Sequence, residues 1–362
     1  MTAPTADPRV PFGGRGQSGF GRFQTPLGRG DYGWSFRLFA SFLEVGDFVA
    51  HRDVREKGLL TQTARDVFTS LDVWSLGLRN RSPSVDEITR AFVDMVAAAV
   101  APIRTPLPFT QMGRGVAGRK RIVAYFSEQI PIRRANGGGD DLFSQLCQAT
   151  HEDGALLSTQ DIIDHMSFLM MAAHDTLTSS LTSFVGELAA HPEWQQRLRE
   201  EVKGLGIEAN DPSSIDNLEK MPLSEMAFKE ALRLKPPVPS MPRRAVRDFS
   251  FRGYDIPAGT SVGINPLFTH HMPEIWPDPD KFDPMRFTDE AQRNRHRFAW
   301  VPFGGGAHMC LGLHFAYMQA KTFARHFLQN LEVSLEEGYK ADWQMWPIPK
   351  PRDGLRVKIK PV

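Results

Sequence analysis

Residues 303–312 read Phe-Gly-Gly-Gly-Ala-His-Met-Cys-Leu-Gly. One cysteine, Cys310, follows a run of three glycines, and an amphipathic stretch from Leu311 to Gln329 begins directly after it. In that stretch Leu313, Ala316, Tyr317, Ala320, Phe323, Ala324 and Phe327 recur at helical spacing, which predicts a helix. Glycines without Cβ atoms let a backbone pass close to a flat ligand. A cysteine at a helix start feels the positive end of the helix dipole and its unpaired N–H groups, an environment that favours thiolate.

A thiolate held by a tight loop is a suitable axial ligand for haem iron. The plainer reading of an isolated Cys beside Gly is a buried core thiol next to a turn. Here the full spacing Phe-x-x-Gly-x-x-x-Cys-x-Gly is present at Phe303, Gly306, Cys310 and Gly312. It resembles the haem-binding loop of the cytochrome P450 family.

Composition narrows the class. The chain has 362 residues, 41% apolar and 23% charged, as expected of a globular protein of one large or two ordinary domains. A formal net charge of +1 gives no reason to expect nucleic acid as a partner. The two cysteines, Cys147 and Cys310, make no disulfide framework and fit a reducing compartment. No apolar run reaches the roughly 18 residues of a membrane span, and residues 1–7 carry no basic or apolar leader. A cytoplasmic location is expected.

Residues 1–57 form an atypical segment rich in Gly and Arg. It lacks the Gly-Lys-Ser/Thr ending of a phosphate-binding loop, so a flexible tail is the favoured reading. Residues 58–362 form the main domain. Helices are expected over Ala64–Leu76, Val85–Ala101, Gly118–Arg134 and Asp140–Ala149. Ser158-Thr159-Gln160-Asp161 reads as a capping box that opens the longest helix, running to about Ala190 before His191-Pro192. Further helices are expected from Pro192 through Val202 and over Met221–Leu234. Short strands are expected between Arg244 and Val262 and over Leu355–Ile359.

The middle of the long helix reads Met170-Met171-Ala172-Ala173-His174-Asp175-Thr176. Phe168 to Met171 cover most of a turn, which implies burial on several faces, and a buried Asp–Thr pair needs a reason. Small residues at Ala172 and Ala173 would let a flat group approach. The stretch resembles the oxygen-activation helix of the same family, although Ala173 stands where glycine is usual. Glu230 and Arg233 lie three residues apart on a helix and can pair. They resemble the family's buried Glu-x-x-Arg pair, joined by an arginine from the loop before the cysteine, here Arg286.

These four signals fall in the family's order over roughly residues 60–362. The resemblance implies a mainly α fold with a small β-region, a triangular prism enclosing one haem b (iron protoporphyrin IX). Cys310 would be the iron ligand, with Gly304, Gly306, Gly312 and Phe303 shaping the loop and Ala172 beside the ring. His308 and Arg243 would meet the propionates, Arg243 being preferred to Arg244. Asp175 and Thr176 would guide protons to dioxygen. Glu230, Arg233 and Arg286 would hold the loop. The implied activity is a monooxygenase acting on an apolar small molecule with O2 and electrons from a ferredoxin or flavoprotein reductase. A basic face of Arg293, Arg295, Arg297, Lys321 and Arg325 would dock an acidic donor. Two alternatives are a peroxygenase or isomerase of the same fold, against which Asp175 and Thr176 argue together, and a truncated non-catalytic haem-binding relic. The family's earlier helix finds no good match in this sequence, His51-Arg52 being a poor one, and the chain is shorter than usual. A haem-contacting helix and part of the substrate-recognition loops would then be missing or altered.

Overall fold

The computed structural model describes residues 85–137, 141–208 and 213–362. The expected tail over residues 1–57, the helix over Ala64–Leu76 and the poor match at His51-Arg52 lie outside them. The chain divides into two units, whose described residues fall within 85–175 and 176–362.

In the first unit, helix α1 (Val85–Ala98) packs on α2 (Gln111–Ala135). The helix expected over Gly118–Arg134 begins seven residues earlier, at Gln111, with Gly113, Gly115 and Gly118 inside it. These glycines are close-contact positions. A Cβ at Gly118 would lie 2.3 Å from the Ala91 carbonyl oxygen, and one at Gly115 would lie 2.1 Å from the Ala98 Cβ. Thr110 caps α2 by accepting the Gly113 N–H at 3.0 Å. Helix α3 (Leu142–Gln148) is capped by Asp141, which also pairs with Arg133 at 3.0 Å. Phe92, Ile122, Phe126 and Phe143 of these helices share a core with Ile162 and Met166 of the next helix.

Helix α4 (Thr159–Ala190) begins at the expected box. Ser158 Oγ accepts the Asp161 N–H at 3.1 Å, and Asp161 Oδ2 accepts the Ser158 N–H at 3.2 Å. Both backbone donors are satisfied reciprocally, with Asp serving where Glu is more usual.

The second unit contains α5 (Pro192–Lys203), α6 (Ile215–Glu219), α7 (Pro222–Leu234), α8 (Pro266–Thr269), α9 (Asp289–Arg293) and α10 (Leu313–Asn330). Its strands pair antiparallel in twos: β1 (Met241–Arg244) with β4 (Ser261–Ile264), and β2 (Phe249–Phe251) with β3 (Tyr254–Ile256). Likewise β5 (Leu331–Leu335) pairs with β8 (Val357–Pro361), and β6 (Trp343–Gln344) with β7 (Lys350–Pro351). The architecture is mainly α with small sheets. Among the described residues no helix is long and apolar enough to cross a membrane.

Candidate functional site

The cysteine loop is shaped by backbone conformation first. Gly304 and Gly306 adopt φ of +70° and +66°, which side chains with a Cβ rarely tolerate. The chain turns twice and closes when Cys310 N–H donates to the Phe303 carbonyl at 2.9 Å. A single 3-10 turn, Gly306–His308, lies inside the loop, and α10 starts three residues past Cys310. The ring of Phe303 meets Tyr317 of α10 edge-on at 5.5 Å and Trp300 at 6.1 Å, which ties the loop to the helix behind it.

Cys310 is exposed, and so are its apolar neighbours Met309 and Leu311. Surrounding protein nevertheless pushes its thiol above the ordinary value, against a Gly312 backbone hydrogen bond that lowers it. Burial thus opposes the tilt towards thiolate expected from the helix start. Cys310 lies outside the helix, ahead of the Gly312 cap, and desolvation outweighs one N–H donor.

Arg243 is half-buried on β1, on the same face as buried Met241 by strand alternation. A Cβ at Gly304 would lie 3.8 Å from the Met241 sulfur, so that face of β1 adjoins the loop. Arg244 is exposed on the other face, which favours Arg243 as the loop-side cation. Arg243 Nη1 donates to the Pro242 carbonyl at 2.9 Å. His308 is exposed.

Behind the loop sits the charged cluster. Glu230 and Arg233 have no solvent exposure. Arg233 grips the carboxylate in a fork, Nε to Oε2 at 2.7 Å and Nη2 to Oε1 at 2.9 Å. Asp283 N–H donates to Glu230 Oε1 at 3.0 Å, and Arg286 Nε lies 3.3 Å from the same oxygen. Burial pushes the Glu230 carboxyl up while Arg233, the Asp283 N–H and Arg286 pull it down. Arg233 also donates to the His270 carbonyl at 2.8 Å and the Lys281 carbonyl at 3.2 Å. Its guanidinium lies 5.2 Å from the centre of the Trp276 ring. Sequence reasoning missed His270, since Thr-His-His-Met shows no period and no spacing to a partner.

On α4, Ala172 is exposed, whereas Asp175 and Thr176 are half-buried, less enclosed than the sequence implied. Asp175 Oδ1 lies 2.8 Å from Nδ1 of His174, whose buried ring meets Phe92 edge-on at 5.5 Å. His174 is a second residue the reading passed over. The Thr176 carbonyl accepts Ser180 Oγ–H at 2.7 Å, and the Thr178 carbonyl accepts Thr182 Oγ1–H at 2.7 Å. Such back-bonds bend a helix.

The basic docking face needs correction. Arg325 has no solvent exposure; its Nη1 donates to the Glu208 carbonyl at 3.0 Å. Lys321 pairs with Glu225 at 2.9 Å, and Arg295 lies 3.9 Å over the Trp276 ring while donating to the Arg286 carbonyl. Arg293 and Arg297 are exposed. Charge spacing along a sequence does not reveal which cations the core absorbs.

Among the described residues no three His, Cys, Asp or Glu side chains cluster closely enough to hold a metal. A lone exposed thiol, flanked by apolar side chains and glycines with positive φ, suits an ion whose other ligands come from a flat macrocycle, as in haem. The residues present fit that group.

This fold and this loop define a haem-thiolate protein. The cytochrome P450 profile matches residues 82–358, and the chain belongs to the cytochrome P450 family, the haem-thiolate monooxygenases, with haem as its cofactor. It is 37% identical over 334 residues to the putative cytochrome P450 136 of Mycobacterium tuberculosis, covering 89% of this chain and 67% of that one. It is 35% identical over 256 residues to the putative cytochrome P450 120 of Synechocystis, covering 70% of this chain and 57% of that one. The structure of a retinoic acid-bound cyanobacterial CYP120A1 superposes with a TM-score of 0.81 at 28% identity, covering 91% of this chain and 77% of that one.

Proposed function

We propose that the chain hydroxylates an apolar small molecule, using dioxygen and two electrons from an external donor. The observation that carries this reading is the Cys310 loop: a lone exposed thiol on a doubly left-handed glycine turn, tied to α10 through Phe303 and Tyr317. Haem, when bound, supplies the redox chemistry of oxygen activation, while the protein supplies binding, orientation and protons.

Cys310 would hold the iron. Arg243, on the loop-side face of β1, and His308 would meet the propionates. The exposed Ala172 offers a side without bulk. The Thr176 hydroxyl would hold a water and pass a proton, and Asp175 would resupply it; His174 steadies the Asp175 carboxylate at 2.8 Å. General acid–base groups of this kind contribute typically about 10²–10⁴-fold. Retinoic acid, carried by the cyanobacterial neighbour, is an instance of the apolar substrate class proposed. A ferredoxin or flavoprotein reductase with an acidic face would approach through the exposed Arg293 and Arg297, without help from Arg325.

Thr176→Ala tests the proton path. The variant should still bind haem and substrate and still consume reductant, but divert much of it to hydrogen peroxide. Unchanged product per electron would overturn the role of Thr176.

A further inference from the structure

Within the second unit, a row of hydrogen bonds runs from the buried ion pair to the cysteine loop, and His270 is its middle member. Arg233 donates to the His270 carbonyl at 2.8 Å, and the His270 ring receives Val301 N–H on Nε2 at 3.0 Å. From there the path is short. The Val301 carbonyl accepts Gly304 N–H at 3.1 Å, and the Phe303 carbonyl accepts Cys310 N–H at 2.9 Å. His270 has no solvent exposure, and its ring meets Trp276 edge-on at 6.4 Å.

The tautomer follows from the donor. A backbone N–H can only give a hydrogen bond, so Nε2 accepts, the ring is neutral and Nδ1 carries the proton. That Nδ1 is buried and has no hydrogen-bond partner among the described residues. Burying a donor unpaired is unfavourable, so this imidazole is a poor filler of apolar space. What it supplies, and an apolar ring of the same size does not, is an acceptor for the Val301 N–H. The neutral form is also the one burial enforces: desolvation first, and Arg233 second, hold the ring down to about 3.

We infer that His270 is a positioning residue for Cys310, its Nε2 anchoring the backbone at Val301 so that the Glu230–Arg233 pair and the Phe303–Gly312 loop are held as one unit. The inference rests on the reading of Cys310 as the iron ligand. It assigns to the charged pair a route by which it fixes the loop, through a side chain that touches neither cofactor nor substrate.

Three variants of the full chain, loaded with haem, separate acceptor from filler. In His270→Gln the amide oxygen reaches the place of Nε2, in His270→Asn it reaches only that of Nδ1, and in His270→Phe the ring volume stays without an acceptor. Two quantities are read: amide hydrogen exchange across Val301–Phe303, and the share of the reduced carbonyl spectrum showing a thiolate ligand. His270→Gln should match the wild type in both. His270→Asn and His270→Phe should exchange about tenfold faster at Val301, as expected for one lost hydrogen bond, and lose part of the thiolate signal. If His270→Phe fails to fold, the Gln and Asn variants still decide. Asn equal to Gln, or Phe equal to wild type, would overturn the inference. Faster exchange with an unchanged thiolate share would overturn the link to Cys310 while leaving the proposed function intact. A wild type lacking the thiolate signal would overturn the inference together with the function it rests on.

Discussion

Glu230→Ala removes the carboxylate at the centre of the buried cluster. In the wild type that group accepts two charge-assisted bonds from Arg233, at 2.7 and 2.9 Å, and the Asp283 N–H at 3.0 Å. The variant keeps Arg233 fully buried, with, among the described residues, the His270 and Lys281 carbonyls and the face of Trp276 left to receive its charge. Breaking a buried pair by removing one partner costs about 3–5 kcal/mol. The orphaned Asp283 N–H adds about 1–3 kcal/mol. Together these approach the whole stability of a typical domain, about 5–15 kcal/mol. Glu230→Ala should therefore give insoluble or haem-free protein, and any soluble fraction should melt far below the wild type. Denaturant titration and haem content per chain measure this. Wild-type folding with a selective loss of turnover would refute the reasoning, because it would make Glu230 a chemical group instead of a structural one.

Two further outcomes concern packing and pH. Gly118→Ala improves intrinsic helix propensity yet should lower stability by about 1–3 kcal/mol, since the new Cβ would meet the Ala91 carbonyl oxygen at 2.3 Å; an equal or higher denaturation midpoint would contradict this. His270 titrates near 6.5 when unfolded and is held down to about 3 when folded, so protonation favours the unfolded chain. Its contribution is complete above about pH 6.5 and is lost as pH falls towards 3. The wild type should lose up to about 1.4 kcal/mol per pH unit more than His270→Gln across that window, and equal losses in denaturation at pH 7 and pH 4.5 would count against it.

Local signals were the legible ones. The Ser158–Asp161 box opens α4 where the sequence placed it, because a capping box is complete within four residues. Pro192 opens α5 for an equally local reason, its missing N–H being no loss in a first turn. The start of α2, expected at Gly118 and found at Gln111, rests on contacts across space. Gly115 and Gly118 lie inside α2 because α1 comes too close for a Cβ, and no window of one helix contains that fact. Charge was misread. Lys321 and Arg325 stand on one helix, yet one is paired with Glu225 and the other is fully buried. His270 and His174 left no pattern at all; each matters through partners the fold supplies, Val301 N–H and Phe92 respectively. At the cysteine loop the spacing identified the motif, while the direction of the Cys310 pKa depended on desolvation that only the folded surroundings define.

The central claim is that Cys310 ligates the haem iron as a thiolate. The absorbance spectrum of the reduced, carbon monoxide-bound protein tests it most directly, compared between wild type and Cys310→Ser. The wild type should show the long-wavelength band of a thiolate-ligated haem, and Cys310→Ser should lose it. A wild type without that band, or a serine variant that keeps it, would contradict the account.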